Sequence, residues 1–264
     1  MHPFAQSPKR IRLTLQLAMR DIEARYRGSA LGLIWSLLLP LSLLALYTFV
    51  FGIVMKVRWQ GSGDGTHAFA LTLFTGLILH QFASECLIRA PRLMIDNASF
   101  VKKVVFPLEI LPASALLAAA FQYLVGLTVL LAGVAFTTGG LQPTALLIPI
   151  VFLPFALMLL GAMWALAALG TYVRDISHGM GLALTLMLFF STVFYPAASL
   201  PERIRPYIYL NPLSYATDAA RSLILQGTLP DTHGILVFYL IGVVTSLFGY
   251  GIFTKLKCGF AEAV

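Results

Sequence analysis

The sequence predicts an all-α protein that crosses a membrane six times. Three observations predict it. Residues 110–173 contain no Asp, Glu, Lys or Arg. That run is too long for one span and suits two, because a bilayer core of about 30 Å takes about 20 apolar residues per helix. Charged residues make up 11% of the chain and apolar residues 59%, where a soluble domain carries roughly 25% charged. The net charge of +7 does not indicate nucleic-acid binding, because the basic residues flank the apolar runs and form no patch of their own. Positive charge beside spans is a topology signal.

Residues 10–27 form the first element. Ile11, Leu15, Ala18, Ile22 and Tyr26 recur at helical spacing, with Arg12, Gln16, Arg20, Glu23 and Arg27 opposite. Asp21 with Arg25 and Glu23 with Arg27 stand at i,i+4 and predict ion pairs along the helix. A basic amphipathic helix ahead of a span predicts an element in the membrane interface. A solvated helix packed on a soluble partner would show the same pattern. Span one follows at about 30–55, and Pro40 predicts a kink in it. Gly28 and Gly32 make a small-xxx-small match, which lets helices approach closely.

Span two covers about 67–88 and carries His80 and Gln81, which a wholly lipid-facing helix rarely holds. A polar loop, 89–107, leads into span three at about 108–137. Gly139-Gly140-Leu141-Gln142-Pro143 predicts a tight turn into span four, 143–172, where Pro149 and Pro154 predict an irregular helix. The charged turn Arg174-Asp175 precedes span five, 176–196. Residues 197–232 are punctuated by Pro201, Pro206, Pro212 and Pro230. Their helical piece, about 213–226, is too short to cross and predicts re-entrant or interfacial helices. Span six is about 234–254.

Six spans put both termini on one side. That side, with the 89–107 loop and the 174 turn, holds 13 of the 18 Lys and Arg, and the other side holds Lys56, Arg58, Arg203, Arg205 and Arg221. The bias predicts cytoplasmic termini and an external 197–232 region. Residues 1–10 lack an apolar stretch, so no cleavable signal is expected. Cys86 and Cys258 have no metal spacing and are expected to be reduced.

The motifs of common chemistries are missing. There is no G-x-x-x-x-G-K-[ST], H-E-x-x-H or G-x-S-x-G, and the five histidines lack metal spacing. The predicted span centres carry no Asp, Glu or Arg, which disfavours an ion relay. A partner that hydrolyses ATP is therefore the expected energy source. A membrane-embedded glycosyltransferase would need acidic residues close together in an interfacial loop. The predicted external loops hold only Asp64, Glu202, Asp218 and Asp231, widely spaced.

Several motifs resemble one family. Arg20-Asp21-Ile22, then Arg25-Tyr26-Arg27-Gly28-Ser29-Ala30-Leu31-Gly32-Leu33-Ile34-Trp35-Ser36 and Tyr47-Thr48-Phe49-Val50-Phe51, resemble the start of type-2 ABC transporter permeases that export bacterial surface polysaccharides. Lys103-Val104-Val105-Phe106-Pro107-Leu108-Glu109-Ile110-Leu111-Pro112 resembles that family's loop into span three. Arg174-Asp175-Ile176, Phe194-Tyr195-Pro196, Leu200-Pro201 and Leu210-Asn211-Pro212-Leu213 resemble its second half. The likeness runs along nearly the whole chain in order.

The resemblance implies a single permease domain, 1–264, in the bacterial inner membrane, pairing with a second copy to form a channel. It implies two ABC ATPase subunits that bind ATP and Mg, none of these cofactors being held by this chain. It implies an interface helix (10–27), a coupling helix (92–101) and external gate helices (197–232). The implied cargo is a lipid-linked glycan such as O-antigen, capsule or teichoic acid. A permease for a drug or small lipid is the alternative within transport.

The residues themselves offer candidate sites. Sugar C–H faces stack on aromatic rings, and Tyr47 with Phe51, and Phe190 with Phe194 beside Tyr195, stand at i,i+4 near the outer ends of spans one and five. Aromatics there also form lipid belts or cores. Arg25 and Arg27, at the inner mouth of span one, suit the phosphate of a lipid anchor or serve as topology anchors. Asp96, Asn97, Lys102 and Lys103 have the polarity of a docking loop and equally of a solvated one. The resemblance assigns them to ATPase coupling.

Overall fold

The computed structural model describes residues 8–27, 31–54, 68–102 and 106–264, without the side chains of 51, 52 and 68. Every regular element among them is helical. Helix α1 is Pro8–Tyr26, and α2 is Ile34–Tyr47, continued by a π-helix, Thr48–Val54. Helix α3 is Ala68–Arg89, followed by a 3₁₀ turn, Ala90–Arg92, and the short helices α4, Leu93–Asp96, and α5, Ala98–Val101. Then come α6, Ile110–Thr138, α7, Ile148–Tyr172, and α8, Ile176–Phe189. Helix α9 is Arg205–Ile208, and α10 is Pro212–Arg221 with a π-helical extension, Ser222–Gln226. Helix α11, Thr232–Leu256, and α12, Phe260–Ala263, end the chain.

Among the described residues, four stretches are long and apolar enough to cross a membrane: Phe69–Asp96, Ile110–Thr138, Pro143–Tyr172 and Thr232–Ala263. Two apolar helices are shorter, Ile34–Val50 and Ile176–Phe189.

The prolines fall where their missing N–H is tolerated. Pro149 lies in the first turn of α7, where a backbone N–H would have no acceptor within the helix. Pro154 is buried in a helix that stays continuous. The predicted irregularity of span four is confined to a 3₁₀ start, Pro143–Leu147. Pro40 is likewise buried in a continuous α2, and the departure from α geometry comes at Thr48. Gly139 ends α6 at φ 75°, where glycine carries no Cβ penalty. Gly32 also has φ 51°, and nothing lies within 4 Å of where its Cβ would be. It serves a turn ahead of α2 and meets no described helix of its own chain, and Gly28 lies outside the described residues.

Helix α7 is central and packs on α11, α3 and α6. A Cβ on Gly249 would lie 1.9 Å from the Gly161 carbonyl oxygen, and one on Gly161 would lie 2.3 Å from that of Thr245. The α7–α11 crossing is therefore backbone on backbone. Phe82 on α3 lies within 6.3 Å of the Tyr123, Phe152 and Phe155 rings, centroid to centroid. The tail returns to the bundle, where Phe260 is fully buried against Phe253 and Tyr172.

Helix α1 is amphipathic, but its buried residues are Thr14, Leu17 and Ala18. Ile11, Leu15 and Met19 are exposed, so the predicted apolar face turns outward at its N-terminal half. Its acidic and basic residues do not pair along the helix as predicted. Arg89 Nη2 donates to Asp21 Oδ2 at 2.6 Å, Arg25 pairs with Glu85, and Arg10 Nη1 donates to Glu109 Oε1 at 3.0 Å. The helix packs along α6, and its ion pairs reach the end of α3 and the residue before α6, where these partners are less hydrated than neighbours on the exposed helix surface.

Candidate functional site

The segment expected to couple, 92–101, is built as a ledge. Helices α4 and α5 meet at Asn97, whose φ of −114° and ψ of 33° leave the helical region. Its Nδ2 returns to the Leu93 carbonyl at 2.9 Å. Leu93, Met94 and Val101 are buried, while Arg92, Asp96, Ser99 and Lys102 are exposed at helical spacing. Lys103 lies outside the described residues. Behind the ledge, a Cβ on Gly170 of α7 would lie 2.3 Å from the Pro91 carbonyl oxygen, so the turn before α4 rests directly on α7. Phe100 stacks on Phe106 at 4.6 Å and receives the Arg20 guanidinium over its face at 5.5 Å. The ledge is thus tied to both α1 and α7.

At the N-terminal end of α2 a polar network crosses three helices. Tyr26 OH donates to Gln122 Oε1 at 3.0 Å, and Gln122 Nε2 donates to the Ser36 carbonyl at 3.0 Å. Arg25 meets Glu85 beside it. Arg27 is exposed just beyond α1. Of the two predicted phosphate contacts, one is held by a carboxylate and the other is open. His80, singled out in span two, donates from Nε2 to the Leu184 carbonyl at 3.1 Å and joins α3 to α8. Gln81 is exposed on the same span.

The aromatic groups divide. Tyr47 is half-buried at the end of α2, and the side chain of Phe51 lies outside the described residues. Helix α8 ends at Phe189, so Phe190 and Phe194 are not one helical turn apart as predicted. Phe194 stacks instead on Phe189, with centroids 5.5 Å apart. Phe189 and Phe190 are exposed. Tyr195 OH donates to the Phe189 carbonyl at 2.6 Å.

Further along the chain, Tyr209 OH donates to Asp218 Oδ2 at 3.0 Å. Burial and the Asp218 charge push the Tyr209 phenol up to about 12, so it remains a neutral donor. Arg221 on α10 is buried and its Nη1 lies 3.4 Å from Asp218 Oδ1.

Residues 12–225 match the ABC-2 type transporter family. The chain belongs to the ABC-2 type transporter family. It is similar to the O-antigen export system permease protein RfbA of Klebsiella pneumoniae, 28% identical over 95% of this chain and 94% of the relative. It is similar to the protein of the same name from Myxococcus xanthus, 27% identical over 96% and 95%. The polysialic acid transport protein KpsM of Escherichia coli is 22% identical over 90% of both chains.

In this ABC-2 transporter chain, sequence reasoning passed over Glu85, Gln122, Asn211 and Arg221. Glu85 sits near the end of an apolar run and looks like ordinary flanking polarity, and Gln122 is a lone uncharged polar residue in the middle of span three. Arg221 stood in the sequence as one of five basic residues of an external region. The available signal was its place in an amphipathic piece with few other charges.

Proposed function

We propose that the chain is the membrane subunit of an ATP-driven exporter that moves a lipid-linked surface polysaccharide across the bacterial inner membrane. End-to-end similarity to polysaccharide export permeases carries this reading. Two copies form the channel, and a separate pair of ABC ATPases binds ATP and Mg. All six apolar helices cross the membrane, both termini are cytoplasmic, and residues 197–232 form the external gate. The chain itself performs no chemistry. The rings of Tyr47, Phe51, Phe190, Phe194 and Tyr195 line the path, which suits a cargo with apolar sugar faces and few charges.

Arg25 and Arg27 receive the phosphate of the lipid anchor at the cytoplasmic leaflet. Glu85 supplies the resident anion on Arg25, and an incoming phosphate takes its place. The exposed residues Arg92, Asp96 and Lys102, together with Asn97 and Lys103, dock on the ATPase. The rigid rests on α1 and α7 support this role, because a ledge held from two sides passes displacement to the bundle.

Reversing one charge of the ledge tests the coupling. The Asp96 side chain is more than half exposed, so Asp96→Arg costs the fold little. Polysaccharide should fail to reach the surface while the permease is still recovered intact. Unchanged export by Asp96→Arg would remove the docking assignment. Orientation has its own test. The exposed Cys258 should react with an impermeant maleimide only after the membrane is opened. A cysteine placed at Ser199 should react in intact cells. The opposite pattern would invert the topology.

A further inference from the structure

The chain leaves the helix at the end of α8, yet the carbonyls of its last turn and of the segment that follows are not abandoned. Leu188 is taken by Ser191 Oγ at 2.6 Å and Phe189 by Tyr195 OH at 2.6 Å. Met187 and Phe190 both receive Asn211 Nδ2, at 2.7 and 2.8 Å. Thr192 receives Arg221 Nη1 at 2.6 Å, and Val193 receives Nη2 at 2.8 Å. Two side chains from α10 and its cap thus satisfy four carbonyls of a stretch that carries three rings of the proposed path.

Neither side chain has freedom to do otherwise. Asn211 Oδ1 accepts the Leu213 N–H at 3.0 Å as the cap of α10, which commits its amide group to the two carbonyls. Arg221 also donates Nε to the Thr72 carbonyl of α3 at 2.9 Å, so its fork spans the turn and span two. A planar guanidinium reaches three carbonyls at once, and a lysine ammonium lacks that fork. Asp218 lies close enough to balance the buried charge, and α3 leaves no slack. A Cβ on Gly76 would meet Thr217 at 2.9 Å and Val193 at 3.0 Å.

We propose that Asn211 and Arg221 are positioning residues for export: they fix the unwound 190–196 segment so that Phe190, Phe194 and Tyr195 face the passing glycan. This rests on the reading of those rings as glycan-contacting. A chain needing only stability could continue α8 as a helix. Here the helix stops at the rings, and their backbone is held by α10 and its cap.

The test uses the purified permease–ATPase complex and cells carrying the same variants, all in a Cys258→Ser background. Val193 is fully buried, and Val193→Cys reports whether the segment stays seated. Asn211→Ser keeps a capping oxygen and loses both carbonyl bonds. Arg221→Lys keeps the charge and loses the fork. In detergent, Val193→Cys should resist a water-soluble maleimide alone and react in either variant, with the complex still eluting intact. In cells, surface polysaccharide should appear about 2- to 10-fold more slowly, the factor that one lost ring contact carries. Adding Phe194→Ala should slow it no further. A purely structural role would add to the Phe194→Ala loss.

Protection of Val193→Cys in both variants would overturn the proposal. So would labelling with export at the wild-type rate. Wild-type export by Phe194→Ala itself would instead remove the reading of the rings, and the functional half of the proposal with it.

Discussion

Gly249→Ala is expected to lower the stability of the folded protein sharply, while Gly251→Ala leaves it equal or slightly higher. Both glycines lie in α11, and alanine is the better helix former by about 1 kcal/mol. Propensity alone therefore predicts a gain at both. Packing reverses the sign at one. The new methyl at Gly249 would lie 1.9 Å from the Gly161 carbonyl oxygen, and at Gly251 it meets nothing within 4 Å. The blocking atom is backbone, so no rotamer change relieves it, and α7 and α11 must separate by more than 1 Å. Overpacking costs about 1–3 kcal/mol where side chains can shift. With main chain on both sides the cost lies at or above the upper end. Membrane helices associate through close contact of small residues, so separation removes the contact itself. A thermal ramp followed by size exclusion in detergent reads the result. Equal melting of Gly249→Ala and wild type would show that the two helices do not cross at this point.

The long apolar helices were legible because charge is so costly in lipid that its absence marks them. Charge-free runs located the α6–α7 hairpin, and the turn at 139–143 follows from Gly139 alone. The piece expected at about 213–226 appears as α10 with its π extension. What stayed illegible depends on partners far along the chain. The run through Phe194 has no local stop signal before Pro196, so span five reads as helical to its end. Its unwinding at Phe190 requires donors on Asn211 and Arg221, which no window around residue 190 contains. The ion pairs of α1 failed for the same reason. Local spacing offers Asp21 to Arg25, but folding supplies Arg89 and Glu85 from α3. Tyr26–Gln122 is a third contact that no periodicity announces.

The aromatic residues divide by what their loss removes. Phe82 is 2% exposed and surrounded by three rings. Phe82→Ala should cost about 3–5 kcal/mol, the range for a buried Phe that leaves a cavity. That is a large part of a total of about 5–15 kcal/mol, so little assembled complex should survive. Phe190 is 62% exposed, and its truncation opens no cavity. Phe190→Ala should leave assembly intact. If its ring meets sugar, the loss is a stacking surface of about 0.5–1.5 kcal/mol, met again at every residue that passes, and export slows. If it only faces lipid, neither assembly nor export changes. Phe194 lies between the two, half-buried on Phe189. Assembly and surface polysaccharide measured on the same three variants separate these roles. Assembly lost in Phe190→Ala, or export held at the wild-type rate, would take Phe190 out of the path. Full assembly of Phe82→Ala would mean that the α3–α6–α7 cluster is not the core that the burial of Phe82 indicates.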